Sequence, residues 1–143
     1  MTKTVTKKCL TFDEMLEAKA VKGKQRHNDE EHRIQCSCIK WFYLQYPKFK
    51  DILFAIPNGG SRNKGEAARM KGEGITAGVA DLILLKSNRF YGALCIEMKT
   101  PAGRQSDTQK HWQQKTELNG NKYVICRSLE DFMREIKDYL SNM

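Results

Sequence analysis

The sequence predicts a single α/β domain, a central mixed sheet flanked by helices, and three observations carry that expectation. The chain has 143 residues, enough for one well-buried core, whereas two full domains would each be marginal. Its apolar residues fall in short strand-sized runs separated by longer segments with helical spacing. Its composition, 40% hydrophobic and 9% aromatic, is that of a folded globular chain rather than a disordered one. Strand and helix signals that alternate around one core are most economically satisfied by a mixed α/β layer architecture.

The elements follow in order. Thr11-Phe-Asp-Glu14 has capping-box spacing and opens a short amphipathic helix with Phe12, Met15, Leu16 and Ala20 on one side. Residues 21–28 are polar and basic and read as a linker. Residues 1–24 are therefore assigned to an N-terminal extension with a possible short helix, and 25–143 to the domain proper. A longer helix is expected over about 29–46, where Ile34, Cys38, Trp41 or Phe42, and Gln45 recur at helical spacing and Pro47 stops it. Residues 52–56 form a strand that ends at Pro57-Asn58-Gly59-Gly60. Residues 64–71 are helix-compatible up to Gly72 and Gly74. The β-type runs 79–85 and 91–98, joined by a turn at Ser87-Asn88, predict a hairpin. A helix over 106–118 ends at Asn119-Gly120. A buried strand over 123–126 precedes a final helix, 128–140, capped by Ser128 and Asp131.

No apolar run approaches bilayer-spanning length, so no membrane partner is expected. Residues 1–8 are rich in threonine and lysine with no apolar stretch behind them, which does not read as a secretory signal. The net charge is +8, which favours a polyanionic partner, nucleic acid first. Because the charge is spread along the chain, a face assembled by folding fits better than a basic arm. The five cysteines, Cys9, Cys36, Cys38, Cys95 and Cys126, are odd in number and irregularly spaced. Cys95 and Cys126 lie in apolar runs and read as small buried hydrophobes. A disulfide framework is not expected, and a reducing compartment, the cytoplasm, is the natural setting. A zinc site from His27, His32, Cys36 and Cys38 is disfavoured, since Cys36 and Cys38 point in different directions on a helix and no second pair follows at zinc-finger spacing.

The chemistry concentrates in Gly78-Val-Ala-Asp81 and its apolar continuation, then Leu94-Cys-Ile-Glu97-Met-Lys99. Asp81 is the only charged residue in its apolar run, and Glu97 and Lys99 close the next. A lone buried carboxylate costs several kcal/mol unless it is paired or holds a metal. Carboxylates on adjacent strands facing one cleft make a hard-oxygen site suited to Mg²⁺ or Mn²⁺. Residues i and i+2 of a strand share a face, so Glu97 and Lys99 point together while Met98 points into the core. The Met98 backbone carbonyl is a further candidate metal oxygen. Such a metal polarises a scissile phosphate and acidifies a water, and a lysine beside it orients or deprotonates that water and stabilises transition-state charge. The plainer alternative is a Glu97–Lys99 salt bridge at a sheet edge with Asp81 as a turn residue.

Context separates these. Glu31-His-Arg-Ile-Gln35, Ile56-Pro-Asn-Gly-Gly60, Gly78-Val-Ala-Asp81, Ile96-Glu-Met-Lys99, Gly103-Arg-Gln-Ser106 and Gln109 occur in one order. The series, spanning about 30–140, resembles the virus-type replication-repair nuclease (VRR-NUC) domain of the PD-(D/E)XK superfamily. The resemblance implies a restriction-endonuclease-like fold, a divalent metal, Mg²⁺ or Mn²⁺, and a DNA substrate, in a bacterial or phage-infected cell. By it Asp81, Glu97 and Lys99 take the motif's acidic and basic places, with Ala80 where the motif has proline. Small stand-alone members look like homodimers that cut branched DNA such as four-way junctions, which implies a role in DNA repair.

Other residues carry competing roles. Glu31 matches the family's helix glutamate at the metal, but Asn28 and Glu31 are also spaced as a capping box. Its helical facing favours the site, and Glu30 is the neighbour that would substitute. Gln109 matches a glutamine that contacts the attacking water or the DNA backbone, yet Ser106 and Gln109 also fit a capping box. Asn58, Gly59 and Gly60 form a turn whose N–H groups suit a phosphate. Arg62, Lys64, Arg69, Lys71 and Arg104 are candidate phosphate contacts or ordinary solvated charges. Trp41, Trp112 and Tyr123 read as core. The rival of another class is a catalytically silent DNA-binding module, against which the intact Asp81, Glu97 and Lys99 argue.

Overall fold

The structure is a computed structural model and describes residues 12–57 and 63–143, with side chains from residue 29 onward outside that gap. The first element, α1, is one unbroken helix, Phe12–Gln45, of 34 residues. The linker expected at 21–28 is therefore absent. Those residues are mostly lysine, arginine, glutamine and other helix-tolerant types, with no proline, and a single glycine costs a helix only about 1 kcal/mol. Polar composition alone does not break a helix. The cap read at Thr11-Glu14 lies outside the described residues.

Pro47 opens a 3₁₀ turn, Pro47–Ile52, that delivers the chain to strand β1, Leu53–Ala55. Helix α2 is Lys64–Gly72, with the Asn63 side chain accepting from the Glu66 N–H at its start. Strands β2, Leu82–Leu84, and β3, Leu94–Met98, follow. Helix α3 is Asp107–Leu118, β4 is Lys122–Cys126, and α4 is Leu129–Ser141. The strands form one mixed sheet in the order β1-β2-β3-β4. β1–β2 and β2–β3 are antiparallel, so the expected hairpin is present, and β3–β4 is parallel. The first three strands are shorter than their apolar runs: residues 79–81 lead into β2, and 91–93 lead into β3.

Side-chain alternation divides the two faces. Leu53, Leu82, Leu84, Leu94, Ile96, Met98 and Cys126 turn one way and meet Cys38 and Phe42 of α1 and Phe132, Ile136, Tyr139 and Leu140 of α4. The spacing of those four α4 residues makes one apolar stripe, and Ser128 caps the helix through the Asp131 N–H, as expected. The opposite face carries Ala80, Cys95 and Tyr123, with Ile83, Ile125 and Trp112 of α3 against them. Cys95 and Cys126 are buried as expected, while Cys36 is exposed and Cys38 is buried. Among the described residues no helix is long and apolar enough to cross a membrane.

Gly78 fixes how α3 approaches the sheet. It has φ +80°, and a Cβ there would strike the carbonyl of Thr108 and the N–H of Gln109. Only glycine meets both conditions, the left-handed backbone and the absent side chain. Gly78→Ala is expected to destabilise the protein by about 2 kcal/mol, from backbone strain and the push on α3. That is a drop of roughly 5–10 °C in melting temperature, read by calorimetry. Wild-type melting in the variant would mean that α3 can shift at no cost.

Candidate active site

The register places the carboxylates. Leu82 pairs with Ile96 across the antiparallel β2–β3 ladder, so Asp81 and Glu97, one residue outward on each strand, stand opposite each other on the face covered by α3. Asp81 is half-buried, just before β2. Its backbone carbonyl accepts from the Ile56 N–H at 2.9 Å, which anchors it to the end of β1. Its Oδ2 accepts from the Met98 N–H at 2.8 Å. The Met98 side chain is in the core, as expected. The N–H and C=O of a strand residue leave on the same edge, so the Met98 carbonyl is directed to the Asp81 side. Lys99 turns its N–H the other way, to Cys126 at 3.0 Å.

Glu97 is 1% exposed and fully engaged. Its Oε1 accepts from Lys99 Nζ at 2.9 Å and from Gln109 Nε2. Its Oε2 accepts from the Tyr123 hydroxyl at 3.2 Å. The salt bridge that the plainer alternative foresaw is therefore present, but it lies inside a buried carboxylate pair rather than at an open sheet edge. Burial pushes Glu97 up to about 7, with the Asp81 charge adding to it and Lys99 and Tyr123 opposing it. Burial likewise holds Asp81 above the ordinary carboxylate range; the Met98 N–H and Lys99 oppose this and Glu31 reinforces it. Facing carboxylates in a low dielectric cannot both be comfortably ionised without a cation between them.

The donor set, all oxygen, would suit a hard cation. Two carboxylates and one backbone carbonyl are oxygen ligands, and Mg²⁺ characteristically takes one or two carboxylates and keeps several waters. Among the described residues no three His, Cys, Asp or Glu side chains gather closely enough to enclose an ion, so Glu31 does not join Asp81 and Glu97 as a third carboxylate ligand, and a cation here would have Asp81, Glu97 and the Met98 carbonyl with water. Glu31 reaches the same end of β3: its Oε1 accepts from the Thr100 N–H at 3.4 Å. Helix α1 runs through 28–31 without starting there, which removes the capping alternative for Glu31. Glu30 is exposed.

Gln109 does two things at once. Its Oε1 accepts from the Ser106 N–H at 2.8 Å while Ser106 Oγ accepts from the Gln109 N–H, which completes the capping box. Its Nε2 donates to Glu97. The capping expectation therefore holds, and the other end of the same amide is spent on Glu97, a contact the sequence reading did not foresee.

Of the candidate DNA contacts, Lys64, Arg69, Lys71 and Arg104 are exposed, and Arg69 pairs with Glu73 at 3.0 Å. Asn58, Gly59, Gly60 and Arg62 lie outside the described residues. Sequence reasoning missed Arg127, whose Nη1 donates to the carbonyls of Thr100 at 2.7 Å and Gly103 at 2.6 Å. This clamps the segment after Lys99 to the end of β4. Tyr123 packs on Trp112 with ring centroids 6.0 Å apart, as a core residue should, but its hydroxyl also reaches Glu97. No periodicity distinguishes either role.

A mixed sheet with helices on both faces, carrying a half-buried Asp81 opposite a buried Glu97 and a lysine at one end of its central hairpin, is the architecture of an α/β nuclease-type domain. The family model for the VRR-NUC domain matches residues 13–130, and the chain belongs to that family. A solved structure of a VRR-NUC domain protein shares the fold with a TM-score of 0.69 at 24% identity, covering 78% of this chain and 88% of that one. A search of curated proteins gives no match.

Proposed function

We propose that this domain is a divalent-metal-dependent endodeoxyribonuclease, selective for branched DNA such as four-way junctions and acting as a homodimer. The observation that carries the metal-dependent part is the facing pair of half-buried Asp81 and buried Glu97, with Lys99 against Glu97, in a chain of the VRR-NUC family. Junction selectivity, the dimer, a cytoplasmic setting and a role in DNA repair are supported by the family resemblance. Paired sites in a symmetric dimer suit cuts on opposing strands.

Asp81, Glu97 and the Met98 carbonyl would hold Mg²⁺ or Mn²⁺, which when bound supplies charge to the scissile phosphate and an acidified water. The chain does the rest. Glu97 holds the Lys99 ammonium at 2.9 Å, which places a positive charge beside the reacting phosphate and orients the attacking water. Gln109 ties α3 to Glu97 and keeps the carboxylate from rotating away. Glu31 buttresses the backbone just after Lys99 through Thr100. Asn58, Gly59, Gly60, Arg62, Lys64, Arg69, Lys71 and Arg104 are proposed to track phosphates, the contacts that dominate affinity and make it salt-dependent.

Cleavage of a labelled panel tests this: four-way junction, flap, nicked duplex, linear duplex and single strand, each with Mg²⁺, Mn²⁺ or EDTA. Symmetric cutting of the junction, dependent on metal, is the expected result. Cutting that favours flaps or ends would replace the substrate assignment. Tight binding with no cutting of any substrate would make the domain a DNA-binding module.

A further inference from the structure

We propose that Tyr123 is a positioning residue for the metal site, its hydroxyl proton steered onto Glu97 Oε2 by a one-way hydrogen-bond chain that starts at Glu117. The inference rests on the metal-binding reading of Asp81 and Glu97. The chain runs inward from exposed Glu117 on α3 to buried Glu97 on β3. Gln113 Nε2 donates to Glu117 Oε1 at 3.0 Å. Gln105 Nε2 donates to Gln113 Oε1 at 2.9 Å and to the Tyr123 oxygen at 3.3 Å. Tyr123 then donates to Glu97 Oε2 at 3.2 Å.

The direction is set by chemistry at the far end. Glu117 Oε1 accepts from Gln113 Nε2, so Gln113 presents its NH₂ there and its carbonyl oxygen to Gln105. Gln105 must meet that oxygen with its NH₂, and the same nitrogen lies against the Tyr123 oxygen. The Tyr123 oxygen thus receives a donor, and its own proton is left for Glu97. Oε1 of Glu97 already takes Lys99 and Gln109. Oε2 carries only the Tyr123 hydroxyl and is the oxygen that would be offered to a cation, and Tyr123 fixes which way it faces. Partners that orient a ligating carboxylate in this manner are worth about 10–100-fold in metal affinity. The chain also gives Gln105, next to the α3 cap, a role that capping does not explain.

Calorimetric titration of DNA-free protein with Mn²⁺ is the test, on wild type, Tyr123→Phe, Gln105→Leu and Trp112→Leu. Tyr123→Phe keeps the ring on Trp112 and removes only the hydroxyl. It is expected to weaken Mn²⁺ binding about tenfold, and Gln105→Leu to weaken it less, in the same direction. Trp112→Leu is expected to lower the melting temperature while leaving Mn²⁺ affinity near wild type, which separates positioning from packing. If Tyr123→Phe does not fold, Gln105→Leu decides alone: a weakened affinity supports the chain and an unchanged one overturns it. Wild-type binding with equal affinity in Tyr123→Phe overturns this inference only. No Mn²⁺ binding by wild type overturns the metal reading and this inference with it.

Discussion

In an Asp81→Asn protein, metal-dependent DNA cleavage is expected to fall by at least about 1000-fold, or about 4 kcal/mol of transition-state stabilisation, while DNA binding holds within a few-fold of wild type. The substitution is nearly isosteric. The oxygen of the new carboxamide can still accept from the Met98 N–H, the bond that Asp81 makes at 2.8 Å, so the approach to β2 is kept. What disappears is one of two charges that a cation would bridge. The DNA surface loses a negative charge, which does not weaken attraction to phosphates. Stability is not sacrificed either, because burial, with Glu31 reinforcing it, already works against ionised Asp81. Cleavage rate at saturating Mg²⁺ and fluorescence anisotropy of labelled DNA in EDTA read the two halves separately. Cleavage within tenfold of wild type would remove Asp81 from the active site. A parallel loss of binding would make it a structural residue.

Much of this site was legible in the sequence because its logic is local. An acidic residue inside an apolar run and the i, i+2 spacing of Glu97 and Lys99 are enough to predict a shared face, and the register puts Asp81 opposite Glu97 as expected. The caps at Ser106 and Ser128 were legible for the same reason, since each is a contact over three residues. What failed was inference from composition. The polar stretch 21–28 reads as a linker but continues α1, because helix formation in that stretch depends on propensity rather than on an apolar stripe. The run 79–85 reads as strand throughout, yet pairing over 79–81 yields to the turn at Gly78 and to the Asp81 side chain, which takes the Met98 N–H that a longer β2 would have claimed. Contacts that depend on tertiary placement left no trace: Arg127 on the carbonyls of Thr100 and Gly103, and Tyr123 on Glu97, join residues more than twenty positions apart.

The buried pair also predicts how stability depends on pH when no metal is bound. Glu97 in the folded protein titrates near 7, against 4.5 when unperturbed. Between those values the folded state keeps a proton that the unfolded state has released, so unfolding expels a proton and rising pH favours the unfolded chain. The Glu97 contribution to stability is therefore most favourable below about pH 4.5, falls as pH climbs to about 7, and does not recover above it. A displacement of this size corresponds to about 3 kcal/mol, and Asp81, also raised, acts in the same direction. Asp131 moves the other way, held low mainly by the Arg127 N–H, but it titrates below this window. Chemical denaturation in EDTA at pH 5 and pH 8 is expected to show wild type losing about 2–3 kcal/mol. Glu97→Gln should flatten most of that slope, although it is expected to be the less stable protein at both pH values, because its amide NH₂ meets a donor and Lys99 loses its anionic partner. Mg²⁺ should restore wild-type stability at pH 8 by binding only the folded state and leave Glu97→Gln nearly unchanged. A wild-type protein with no slope across this window, or a Glu97→Gln protein with the same slope, would mean that Glu97 carries its full charge in the fold without a cation. The stability cost of the naked pair and its affinity for metal would then have separate origins.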